Sequence, residues 1–128
     1  MSFEKPERHP KGWGYEDWIV NNNLYCGKIL HFEKGKQCSL HYHKLKDETF
    51  FILDGAFEIT LYDSLEDYKE GKKQVMHAKP GDVIHIWIGR VHRMKALESG
   101  NIIEISTKHF EDDSYRLESG DSQIPSTM

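Results

Sequence analysis

Along most of this chain, apolar and polar residues alternate with the two-residue period of β-strands, and turn-forming residues interrupt the alternation roughly every eight to twelve positions. The pattern predicts strands over residues 24–33, 56–63, 74–79, 83–88, 94–97 and 102–107, with a shorter one at Ile19-Val20 that ends in the turn Asn21-Asn22-Asn23. Within 24–33 the alternation puts Lys28, Leu30 and Phe32 on one face and Ile29 and His31 on the other. Pro80-Gly81-Asp82 and Gly89 read as turns around the strand at 83–88. No helical period is long enough to compete. The expected class is all-β, a sandwich or antiparallel β-barrel.

The remaining segments fit around that frame. Residues 1–18 are polar and then aromatic, with Trp13, Tyr15 and Trp18 close together. They are expected to form an arm lying on the barrel or on a partner subunit, since those rings would otherwise be exposed. The charged stretch 64–73 reads as a solvated loop. Residues 111–114 are acidic and suited to capping one short helical turn, and a loose tail is expected from Gly120 onward. The chain is expected to be one domain over residues 1–116, followed by a tail over 117–128.

Candidate chemistry is concentrated in GKQCSLHYHKLKDETFFILDG, residues 35–55. His41 and His43 are two apart on a strand-like run, so both imidazoles point to one face. The polar residues 44–47 let the chain turn and re-enter the sheet with Glu48 beside them, and His92 is the fourth candidate ligand. Three imidazoles and a carboxylate leave open positions on an octahedral ion. That suits Mn, Fe, Ni or Co bound to a substrate oxygen better than a closed structural Zn site.

At these residues the chain resembles the cupin superfamily. Gly35, His41, His43, Glu48 and Gly55 match every spacing of that family's first motif. Gly81, Gly89 and His92 match its second, in which Trp87 replaces a proline and Ala96 an asparagine. The resemblance implies a small cupin barrel, a double-stranded β-helix or jelly roll, with four ligands to one divalent transition metal (Mn, Fe, Ni, Co or Zn) facing its lumen. A broader likeness runs from Trp13 to Arg116. Trp13-Gly14-x-Glu16, Lys28-Ile29-Leu30, Ser39-Leu40, Ile103-Glu104 and the acidic segment ending in Arg116 resemble the cupin domain of type II phosphomannose isomerases. That family usually has Gln where His41 stands. Histidine there is the pattern of cupin sugar isomerases.

Composition narrows the function. A net charge of -4 without a basic stripe disfavours nucleic acid as a partner. No apolar run is long enough for a membrane helix, and MSFEKPERHPKGWG has no hydrophobic core of a signal peptide, so a cytoplasmic protein without membrane contact is expected. In that compartment Cys26 and Cys38 are expected to be free thiols.

Together with the resemblance, these readings predict a homodimeric, metal-dependent isomerase of an aldose and a ketose, its substrate a small sugar or sugar phosphate. Glu104, between Ile103 and Ile105 on a strand, is the first choice of general base, with Glu58 behind it. Lys28 is a candidate proton shuttle and substrate ligand, and Arg93 and Arg116 are candidates for holding an anionic or hydroxylated substrate. His85 is expected to be a core or hydrogen-bonded histidine, His31 and His77 to lie at the surface, and Tyr42 to pack away from the ligands. A metal- and sugar-binding protein without turnover, or an Fe(II) dioxygenase, are the alternatives.

Overall fold

A computed structural model describes residues 2–123. The alternating segments form two antiparallel sheets. The first holds β1 (Glu7–Lys11), β2 (Gly14–Asn21), β3 (Cys26–Phe32), β10 (Gly100–Ser106), β5 (Glu48–Ile52) and β8 (Val83–Ile86), in that spatial order. The second holds β11 (Tyr115–Glu118), β4 (Leu40–Tyr42), β9 (Val91–Glu98), β6 (Ala56–Tyr62) and β7 (Gln74–Ala78). They pack face to face as a jelly-roll β-barrel, with Phe32 of one sheet edge-on to Phe57 of the other at 5.6 Å. No helix among the described residues is long and apolar enough to cross a membrane.

Three segments differ from expectation. Residues 7–11 and 14–21 are a hairpin that extends the first sheet, with β2 paired to β3. Pro10 is tolerated because β1 is the edge strand and needs no ladder donor there. Trp13 stacks on Phe32 at 4.1 Å and is buried, so this aromatic segment finds cover within its own chain. Residues 64–73 contain one short helix, α1 (Leu65–Lys69), because the Ser64 hydroxyl accepts the N–H of Asp67 as an N-cap. Near the C-terminus, β11 joins the second sheet beside β4, Asp121–Gln123 forms a 3₁₀ turn, and residues 124–128 of the expected tail lie outside the described residues. Residues 111–114 form no helix.

Register sorts the barrel interior into a dry half and a polar half. Leu30, Ile102 and Ile52 are neighbours across three strands and meet Phe57, Ile59 and Met94 of the other sheet in one apolar cluster. Two residues along, the same inward face carries Trp18, Lys28, Glu104 and Phe50 in one row across four strands. The next row pairs Ser106 with Glu48. A hydrophobic floor thus stands beneath a layer of buried charge.

Candidate metal centre

The three histidines come from neighbouring strands of the second sheet. His41 on β4 is directly paired with His92 on β9, and His43 follows just beyond the end of β4. Their candidate ligand atoms all lie within 4.8 Å of one another. In each ring Nδ1 faces a backbone carbonyl: Ser39 for His41 at 2.9 Å, Asp113 for His43 at 2.6 Å and Arg90 for His92 at 2.9 Å. A carbonyl oxygen only accepts, so Nδ1 carries a proton in all three, and each ring in its neutral form leaves the Nε2 lone pair free to converge. This is the tautomer a metal requires.

Glu48 completes the set from the facing sheet. Its Oε2 lies 3.4 Å from Nε2 of both His43 and His92, is buried, and has no hydrogen-bond partner. An orphaned carboxylate oxygen facing three bare imidazole nitrogens fits a divalent transition metal. Burial drives His41 well below its ordinary pKa and His92 down to about 4, so both rings stay neutral. Burial would push Glu48 up. Lys46, and then the neighbouring His43, outweigh it and hold the carboxylate well below its usual range.

Behind the ligands lies a bridge that the sequence did not reveal. Nζ of Lys46, 3 % exposed, lies 3.3 Å from Oε1 of Glu48 and 2.7 Å from Oε2 of Glu104. Glu104, which also accepts the Ser106 hydroxyl at 2.9 Å, is raised by burial and by the Glu48 charge against the opposing pull of Lys46. The expected general base is therefore inside the barrel, joined to Glu48, a candidate ligand, through one ammonium.

Lys28 is also inside, opposite Glu104 in the register, with Nζ 3.3 Å from Oε1 of Glu16 and over the ring of Trp18 at 4.3 Å. Arg116 lines the same cavity of about 200 Å³. Arg93 does not line it. Its guanidinium donates to the carbonyls of Cys38 and Ser119 and ties β9 to the end of β11. Glu58 sits opposite His77 on the outer face, His85 meets Asp47 at 2.7 Å, and Tyr42 stacks on Tyr115 away from the ligands. Cys26 and Cys38 are buried free thiols. Glu16, Lys46 and His109 also line the cavity. Glu16 faces the same way as Trp18, a period-two signal that a strand assignment for 14–21 would have exposed. Lys46 and His109 lie on loops, where nothing local marks a side chain as inward.

Residues 28–107 match the family profile described as the cupin domain. Among solved structures, oxalate decarboxylase from Bacillus subtilis superposes with a TM-score of 0.76 at 19% identity over 91% of this chain and 31% of its own. KdgF from Halomonas sp. gives 0.63 at 21% over 77% and 81%. CapF from Staphylococcus aureus, described as a capsular polysaccharide assembling protein, gives 0.73 at 16% over 91% and 32%. This chain thus spans about a third of the oxalate decarboxylase and CapF chains. No curated protein sequence matches it.

Proposed function

Since the chain belongs to the cupin family, we propose that it is a metal-dependent isomerase interconverting an aldose and a ketose. The carrying observation is the Glu48–Lys46–Glu104 array, which places a buried carboxylate of raised pKa within one ammonium of three converging imidazoles. The sequence resemblance to sugar-isomerase cupins supports the reading, and the Mn(II) centres of the oxalate decarboxylase with the same fold support the choice of metal class.

His41, His43, Glu48 and His92 would hold the ion. When bound, a divalent metal supplies Lewis acidity toward the sugar's carbonyl oxygen. The chain's own groups do the rest. Glu104 takes the proton from C2 and returns it to C1, its pKa brought up toward the working range as a proton acceptor and donor requires. Lys28, beside it in the register, passes the hydroxyl proton from O2 to O1. Lys46 holds the Glu48 and Glu104 carboxylates in place, and Arg116 engages the far end of the sugar from the cavity wall.

Metal analysis and an aldose–ketose panel in deuterated water test this. Glu104→Gln is expected to keep the metal and lose turnover by about a hundredfold or more, and His41→Ala to lose both. Full activity after chelation and dialysis, or sugar binding without C2 hydrogen exchange, would overturn it. Substrate-dependent oxygen uptake would redirect the reading to a dioxygenase.

A further inference from the structure

One imidazole in the cavity has no part in the proposed reaction. His109 lies between β10 and β11, and Asn21 grips its backbone twice, accepting its N–H at 2.8 Å and donating to its carbonyl at 3.2 Å. Trp18 meets the ring edge-on at 5.0 Å. Two ammonium groups face one ring atom: Nζ of Lys28 lies 3.3 Å, and Nζ of Lys46 3.2 Å, from Nδ1.

An ammonium has only donors, so Nδ1 must accept, and the ring's single proton sits on Nε2. A second proton would set an imidazolium against two cations. Burial, then Lys28 and Lys46, push the ring down to about 3, with Glu16 pulling the other way. The ring therefore stays neutral at physiological pH and keeps its Nε2–H. That nitrogen is 3.8 Å from Oε1 of the exposed Glu111, beyond hydrogen-bond distance.

We infer that His109 is a substrate-binding residue, a fixed Nε2–H donor that reads a hydroxyl oxygen of the ligand in the cavity. Glu16 lines the same cavity and adds a carboxylate acceptor to its wall, so a ligand rich in hydroxyls, which both accept and donate, suits the cavity. The class of ligand rests on the isomerase reading. The tautomer and its direction do not.

Protein carrying isotope-labelled histidine and loaded with zinc is expected to show His109 protonated at Nε2 and bare at Nδ1 from about pH 5 to about pH 8. D-sorbitol, an open-chain hexitol, is expected to shift the Nε2 signal. His109→Asn, too short to reach the ligand, is expected to raise KM about tenfold more than it lowers kcat, and His109→Gln, whose amide nitrogen extends to the Nε2 position, to recover most of that loss. A ring protonated at Nδ1 or charged, an Nε2 signal unmoved by saturating sorbitol, or equal KM in the two variants would overturn the assignment. The sorbitol titration needs no turnover. Absence of C2 exchange would thus remove the isomerase reading and leave His109 standing, and turnover with an unmoved His109 signal would do the reverse.

Discussion

Lys46 shows how one side chain can decide the character of a site. With Glu48 and Glu104 each within 3.3 Å of its ammonium, it sets one positive charge between two buried carboxylates that would otherwise repel each other through the low-dielectric interior. Lys46→Met removes that charge while keeping the stem's packing. The metal-free variant is expected to lose about 3–5 kcal/mol in urea unfolding, and less once metal is bound, because the ion takes over neutralising Glu48. Equal losses with and without metal would show that the bridge does not couple to the ligand set. His109 yields a pH dependence. Its folded pKa of about 3 lies below the ordinary 6.5, so the unfolded chain takes up a proton that the folded ring refuses. The resulting stability is fully present above pH 6.5 and is lost as pH falls toward 3. His109→Gln should therefore lose less stability than the parent between pH 7 and pH 5, by up to about 2 kcal/mol, in paired denaturant titrations.

The elements around the site depend on a loop contact far apart in sequence. Asp113 accepts the N–H groups of Lys44 and Leu45 at 2.8 and 3.1 Å through Oδ1 and that of Lys46 at 3.1 Å through Oδ2, while its own carbonyl orients His43. Asp113→Ala strands three donors in the loop that carries both a ligand and the charge bridge. Stability is expected to fall by about 2–4 kcal/mol and metal affinity by roughly tenfold or more, read by competition with a chromophoric chelator. A loss of stability with unchanged affinity would mean that the loop holds its ligand unaided. The same contact explains which parts of the site could be read in advance. His41 and His43 were legible because a strand's period fixes their common face, whereas Lys28 and Glu104 were picked out by the family resemblance, since alternation alone left Lys28 as well suited to the outer face. Lys46 and His109 were not, since their directions are set by Asp113 and Asn21, partners across the fold rather than along the chain. The first hairpin was hidden for a similar reason. Pro10 and the charges of β1 mimic a loop, and only pairing with β2 makes them a strand.

For the whole barrel, the distribution of ligands between sheets matters more than their number. His41 and His92 belong to strands of the five-stranded sheet and Glu48 to the first residue of β5 in the other, so an ion held by all of them ties the two sheets together across the polar half of the interior. The apolar half already joins them through the Phe32, Phe57, Ile52 and Ile102 cluster. Separating the sheets therefore breaks both links at once, and metal binding should stabilise the entire domain in one cooperative step. At a free metal concentration about a thousand times Kd the gain is about 4 kcal/mol, which for a domain of this size raises Tm by roughly 10 °C or more. Glu48→Gln weakens the candidate ligand that the six-stranded sheet contributes and should remove most of that rise while the three histidines still bind metal weakly. Calorimetry of the parent and variant, with and without manganese, distinguishes the cases. A parent trace in which metal splits the transition, raising one part and leaving the other in place, would show that the ion is held by one sheet alone.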